Sequence, residues 1–347
     1  MSAPAVTDGR LVFTVDDPAR DLVRVRLDCD DAIDGPRRFR RTATGWALAI
    51  PRPDLRRLEY RLVITDQRGQ TEVLCDPGNP EVVGTASGER SVVLMPGYEL
   101  PQWVRADVKP GVWTDVSFTD VIGELPIRVW APDALAADTA APLLIVHDGP
   151  EYDDLAELTR YGAVMVADGV LPAFRMALMQ PVERDAWYSA NPYYVRSELA
   201  AVADIDSAFA RRGAPVVMGA SLGGLCALLV ACAGQPAFGG VFSQSGSYFT
   251  PERDEQESSY PFFDRITDAV AKVTASPLTR HPLVIGMTCG ALEENYGNNV
   301  AMAHALAAKG HRVTLEAVPD LHNYTAWRDG LHPALTDVLR SAWGAPG

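Results

Sequence analysis

Cysteine is scarce: five in 347 residues, at Cys29, Cys75, Cys226, Cys232 and Cys289, with no C-x-x-C pair. An odd number of widely spaced thiols indicates neither a disulfide framework nor a zinc site. No apolar run approaches the roughly 18 residues that a membrane span needs. The opening stretch, MSAPAVTDGRLVFTVDD, lacks a basic segment followed by an apolar one, so a soluble cytoplasmic protein is expected. Positive charge is in deficit. With 31 Lys+Arg against 45 Asp+Glu the net charge is −14, which repels phosphate backbones and anionic lipid and speaks against nucleic acid or a membrane as partner. What remains is ordinary globular composition, 47% hydrophobic and 22% charged, in a length that suits one large or two ordinary domains with real cores.

Those charges are unevenly placed. Residues 1–105 are close to neutral, and the rest of the chain carries nearly all of the net charge. The texture changes at the same place. Up to about residue 105, short alternating runs sit between Asp, Gly, Pro and Asn clusters: Leu11 to Val15, Leu22 to Asp28, Trp46 to Ile50, Leu58 to Asp66, Thr71 to Cys75 and Arg90 to Met95. Period-two alternation at this spacing predicts antiparallel strands in a β-sandwich, with Arg24 and Arg26 facing solvent. A Pro- and Trp-punctuated stretch from Met95 to Gly111 has the composition of a linker. Beyond it, apolar runs at 143–146, 175–179, 215–218, 240–243, 282–287 and 313–318 alternate with helical spacing over 197–212, 222–233, 296–309 and 325–343. That alternation predicts an α/β fold whose mostly parallel sheet is covered on both faces. The expected domains are therefore 1–105, a β-sandwich, and 106–347, the α/β part. There is no internal repeat and no low-complexity tract.

The motif that carries chemistry is Gly219-Ala220-Ser221-Leu222-Gly223-Gly224, a G-x-S-x-G between an apolar strand and the helical stretch from Leu222. A nucleophile elbow needs small residues two before and two after the serine, because the strained turn brings strand and helix close together. Serine is a weak nucleophile at its free pKa, so Ser221 requires a base and an acid that orients the base. In such folds both follow in chain order, each just past a later strand. Of the six histidines, His322 alone comes immediately after the final predicted strand, and it is the candidate base. The acid is expected in the loop after the run ending at Met287, where Glu293 is the first choice and Glu294 the reserve. The oxyanion requires two backbone donors: the Leu222 N–H, and one from His147-Asp148-Gly149-Pro150-Glu151-Tyr152. Gly149 or Glu151 can supply it, whereas Pro150 has no N–H.

With these pieces in place the sequence resembles the enterochelin (ferric enterobactin) esterase family of esterase D-like enzymes. The resemblance rests on Leu143-Leu144-Ile145-Val146-His147-Asp148-Gly149, on Arg184 with Asn191, and on Gly219 to Leu225. It continues through Ser243-Gln244-Ser245-Gly246-Ser247-Tyr248, Gly290-Ala291-Leu292-Glu293 and His322-Asn323-Tyr324-Thr325-Ala326-Trp327-Arg328. Cys75-Asp76-Pro77-Gly78-Asn79-Pro80 is similar to the D-P-x-N-P stretch that closes the sandwich in those enzymes. The resemblance implies an α/β-hydrolase preceded by an immunoglobulin-like sandwich, and cytoplasmic hydrolysis of the serine-ester linkages of an iron-loaded catecholate siderophore. It implies Ser221 as nucleophile, His322 as general base and acid, and Glu293 as third member. It places Arg184, Asn191 and Arg328 as substrate-facing or site-supporting residues. No metal or organic cofactor is implied, the partner is a small-molecule ester, and the sequence leaves both a monomer and a homo-oligomer open. Two rival readings are a feruloyl or acetyl-xylan esterase and a binding protein that keeps the fold without the reaction.

Overall fold

A computed structural model describes residues 3–7 and 9–344 of the chain. Its contacts divide the chain into two units, one of Met1–Leu100 with Pro319–Asn323 and one of Pro101–Val318 with Tyr324–Gly347.

In the first unit, one sheet is made by Ala5–Thr7, Arg10–Asp16, Gly45–Pro51 and Arg40–Arg41. The other is made by Leu22–Cys29, Arg57–Asp66, Gly88–Leu94 and Val82–Thr85, with Thr71–Leu74 added on Arg57–Asp66. Alternation decides which side chains point inward. Leu11, Phe13, Val25, Leu27, Leu48, Ile50, Leu58, Tyr60 and Leu62 form the core, while Arg24 and Arg26 are exposed as their positions predict. Each fully buried Leu or Phe contributes about 1.5–3 kcal/mol. The Asp76-Pro77-Gly78-Asn79 turn is fastened by a buried phenol: Tyr60 donates to Asp76 Oδ2 at 2.7 Å and accepts from Asn79 Nδ2 at 3.2 Å. Composition alone drew a boundary at residue 105, whereas contacts run this unit to Leu100 and add Pro319–Asn323. The reason for the added segment is specific. Buried Arg57 and Asp320 pair at 2.6 Å, Arg56 N–H donates to the Pro319 carbonyl at 2.8 Å, and Leu321 joins the sandwich core.

The second unit is built on a sheet of eight strands among the described residues: β1 (Val112–Asp120), β2 (Gly123–Ala131), β3 (Leu143–Val146), β4 (Arg175–Met179), β5 (Val216–Ala220), β6 (Gly240–Gln244), β7 (Val284–Gly290) and β8 (Arg312–Val318). Their order is β1-β2-β4-β3-β5-β6-β7-β8, antiparallel at β1/β2 and β2/β4 and parallel elsewhere. Strands β3 to β7 are buried at every residue, which is why they read as continuous apolar runs. The hairpin β1/β2 was not foreseen: β1 is partly exposed along its length and carries polar Thr114, Asp115, Ser117, Thr119 and Asp120, so no apolar run announces it.

Helices α1 (Gly149–Ala156), α2 (Leu158–Ala167), α3 (Arg184–Tyr188), α4 (Pro192–Ala208), α5 (Leu222–Ala233), α6 (Phe263–Ala275) and α7 (Tyr296–Ala308) cover the sheet together with α8 (Tyr324–Asp329) and α9 (Thr336–Trp343). Helix α5 is apolar nearly all round and almost wholly buried, as a helix packed beneath the sheet's centre must be. The continuous helix expected over 325–343 is broken. Gly330 ends α8, Pro333 cannot extend a helix backwards, and His332 takes extended φ −116°, ψ 128° because a residue before proline is pushed out of the helical region.

Candidate active site

The corner between β5 and α5 is strained. Ser221 lies there at φ +55°, ψ −124°, a conformation that costs a residue with a side chain about 1–3 kcal/mol and persists only when the surroundings enforce it. They do so sterically. A Cβ on Gly219 would stand 2.4 Å from the Gly223 carbonyl carbon and oxygen, and one on Gly224 would stand 2.6 Å from Ser243 Oγ. Backbone bonds hold the corner as well: Ser221 N–H donates to the Gln244 carbonyl at 2.9 Å, and Ser247 N–H donates to the Ser221 carbonyl at 3.1 Å. The Ser221 hydroxyl is partly exposed and lies 3.3 Å from Ser247 Oγ.

Leu222 and Gly149 open α5 and α1 respectively, and the first amides of a helix have no partner within it. The loop before α1 turns through Asp148, which is left-handed at φ +51°. Arg184 donates through Nε and Nη2 to the two Asp148 carboxylate oxygens at 2.8 and 2.7 Å, a two-pronged geometry that fixes the loop. Gly149 is required there, since a Cβ would meet Leu178 Cα at 2.4 Å. Pro150 occupies the first turn of α1, where a missing N–H costs nothing. The loop lies against α5, because a Cβ on Gly223 would come within 3.1 Å of His147 Cβ and 3.3 Å of Asp148 Oδ2.

Glu293, in the turn after β7, is buried while Glu294 is exposed. Its Oε1 accepts from Ser245 Oγ and from Gly290 N–H, both at 2.8 Å. Ser245 Oγ in turn accepts from Trp327 Nε1 at 3.1 Å, and buried Gln244 donates to the Trp327 carbonyl at 3.1 Å and to Thr288 Oγ1 at 3.0 Å. The Ser243-Gln244-Ser245 stretch therefore ties the Glu293 turn to α8, the helix that begins two residues after His322. His322 is exposed in the connection between β8 and α8 and belongs to the Pro319–Asn323 segment grouped with the first unit.

The three residues carried over by resemblance have defined partners. Arg184 serves Asp148, as described. Asn191 caps α4: its Oδ1 accepts from Tyr193 and Tyr194 N–H, and its Nδ2 donates to the Ala186 carbonyl at 3.1 Å. Arg328 pairs with Asp329 at 2.8 Å and approaches Glu157 at 4.0 Å.

Sequence reasoning missed a buried cluster directly under the corner. His147 Nε2 lies 2.8 Å from Glu198 Oε2 and His147 Nδ1 lies 3.0 Å from the Gly223 carbonyl. Ligating atoms of His147, Glu198 and Cys226 fall within 4.8 Å of one another. Ligands sharing one tetrahedral ion stand about 3.3 Å apart, so the His147–Glu198 contact fits a shared proton better than a metal. Burial also pushes the Cys226 thiol up to about 11, which keeps it protonated and a poor ligand.

The strand order and a strained serine between the fifth strand and the following helix define an α/β-hydrolase. Residues 121–338 match the family model Esterase, described as "Putative esterase", and the chain belongs to this esterase family. Iron(III) enterobactin esterase of Escherichia coli (strain K12) is 27% identical over 261 residues, 71% of this chain. The match spans 60% of that protein's own length. Among solved structures, the enterochelin esterase of Shigella flexneri has a TM-score of 0.76 at 18% identity, covering 97% of this chain and 94% of that one. A ferulic acid esterase has a TM-score of 0.54 at 14% identity and covers 68% of this chain and 100% of that one.

Proposed function

We propose that this chain hydrolyses carboxylic esters through an acyl-enzyme, with Ser221 as nucleophile. In this reading His322 takes the serine proton and returns it to the leaving alcohol, and Glu293 holds the imidazole and balances its charge. The oxyanion rests on the Leu222 N–H and an amide of the Asp148 loop, Gly149 N–H in the first instance. Water then repeats the cycle on the acyl group. The observation that carries the proposal is the forced positive φ of Ser221 beside a loop pressed against the first turn of α5. Supporting it, buried Glu293 is linked through Ser245 to the helix that follows His322. Arg184, Asn191 and Arg328 act as supports, since each is already engaged by protein groups.

The substrate class proposed is the serine-ester linkage of an iron-loaded siderophore of the enterobactin type, cleaved in the cytoplasm. It is favoured by the similarity to enterobactin esterases along 97% of the chain, sandwich included. A feruloyl type of esterase is the weaker reading, because that similarity stops at 68% of the chain. No helix among the described residues is long and apolar enough to cross a membrane.

The test is a panel of iron-loaded and iron-free siderophores and ferulate esters, with products read by mass spectrometry. Ser221→Ala is expected to lower turnover by about 10⁶-fold, the scale known for such units, and to abolish labelling by a fluorophosphonate. Full activity of that variant on every substrate would refute the nucleophile assignment.

A further inference from the structure

Two amides must be held at a set spacing to bind an oxyanion, and in the proposed hole they come from separate parts of the chain, the Asp148 loop with the first turn of α1 and the start of α5. His147 is the side chain that joins them. It is fully buried, precedes Asp148, bonds through its own N–H to the Met218 carbonyl on β5 at 2.9 Å, and reaches the Gly223 carbonyl with Nδ1. A carbonyl can only accept, so Nδ1 carries a proton. Nε2 faces Glu198 Oε2 at 2.8 Å. Read as the donor to that oxygen, Nε2 carries a proton too, and the ring is an imidazolium.

We infer that the buried His147–Glu198 pair is a positioning device for the oxyanion hole, an imidazolium–carboxylate clamp that fixes the Asp148 loop against the first turn of α5. The pair's charge rests on the Nε2–Oε2 contact, since Glu198 Oε1 is buried without a hydrogen-bond partner. Burial works against the charge but is outweighed by the Glu198 carboxylate together with the neighbouring Cys226, and the His147 pKa is held well above its ordinary value. The other groups facing the ring are Tyr188 from α3, Tyr194 from α4 and Cys226 from α5, with the charged Asp148 next to His147 in the chain. Burial raises both phenols and the thiol, so they stay neutral, and Asp148 is engaged by Arg184. The Tyr188 ring stands 4.8 Å from the imidazole, close enough for its π face to favour a cation, while its hydroxyl accepts the Asp148 N–H at 3.2 Å. A charged donor makes the Gly223 bond stronger than a neutral one. His147 does not touch the substrate in this reading. It acts through the spacing of two amides that meet charge only in the transition state, so loosening it lowers kcat more than it changes KM.

The inference rests on the proposed ester hydrolysis, and the test separates the two. In the double variant His147→Asn/Glu198→Gln the charges are removed and a short amide remains to face Gly223. With the fold intact by circular dichroism, kcat on a p-nitrophenyl ester is expected to fall about ten- to hundredfold, with KM within about twofold. Fluorophosphonate labelling of Ser221 is expected to reach completion at a correspondingly slower rate. In ¹⁵N-histidine-labelled wild-type protein, both ring nitrogens of His147 are expected to carry protons at about pH 8, above the ordinary histidine value. A folded double variant as fast as wild type overturns the inference, and so does an unprotonated Nε2, which decides the matter if the variant fails to fold. Wild-type protein inert to every ester and to the fluorophosphonate overturns the hydrolase reading itself.

Discussion

A serine hydroxyl is reactive only where its surroundings make it so, and at Ser221 those surroundings consist largely of missing atoms. Gly219 and Gly224 leave no room for a Cβ and Gly223 leaves little, and the spacing of these glycines is what made the corner legible in the sequence. Glu293, the proposed acid, reads in the sequence as one of two adjacent carboxylates, and burial distinguishes it from Glu294. The pairs that stiffen the site left no such trace: Arg184 and Asp148 are 36 positions apart, and His147 and Glu198 are 51. At this scale the His147 clamp has a pH signature. Its folded pKa is raised above the unfolded value of about 6.5, so its contribution to stability is complete below that pH and declines as pH climbs through the folded value. The unfolding free energy of wild type relative to His147→Asn/Glu198→Gln is expected to shrink steadily from about pH 6.5 upward in urea titrations. A gap that widens with pH would contradict the assigned sign.

Elements were legible where apolar residues run together or alternate, including in the partly exposed β8 and Thr71–Leu74. Buried β3 to β7 stand out as apolar runs, while the partly exposed hairpin strand β1 does not. The break after α8 follows from Gly330 and Pro333, which act locally and are visible in the sequence, yet helical spacing on either side concealed it. The start of α4 shows how one residue reads differently alone and in context. By resemblance Asn191 faces the substrate or supports the site, and in the structure its side chain satisfies two of the first amides of α4, with Pro192 next in line. Losing such a cap costs about 1 kcal/mol. Asn191→Ala is therefore expected to lower unfolding free energy by about that amount, with KM within about twofold of wild type, checked by denaturant unfolding and steady-state kinetics on the same preparation. A large rise in KM with unchanged stability would restore the substrate role.

For the molecule as a whole, the net charge of −14 sets the terms on which an anion approaches. Both arginines singled out by resemblance are paired with carboxylates, Arg184 with Asp148 and Arg328 with Asp329, which diminishes the attraction either offers to an iron–catecholate complex. Raising ionic strength from about 0.01 to about 0.15 M shortens the screening length from about 30 to about 8 Å. It is expected to raise kcat/KM for the ferric siderophore several-fold while leaving a neutral p-nitrophenyl ester unchanged. A fall instead would reveal a local positive field at the site. Composition, alternation and glycine spacing were enough to specify two kinds of architecture, the strand–elbow–helix corner and the candidate acid turn, because each depends on near neighbours in the chain. The placement of Pro319–Asn323 with the sandwich, the clamp at His147 and the pairing of Arg184 with Asp148 and of Arg57 with Asp320 depended on folding, because they join residues that share no local pattern and meet only when the sheets have formed.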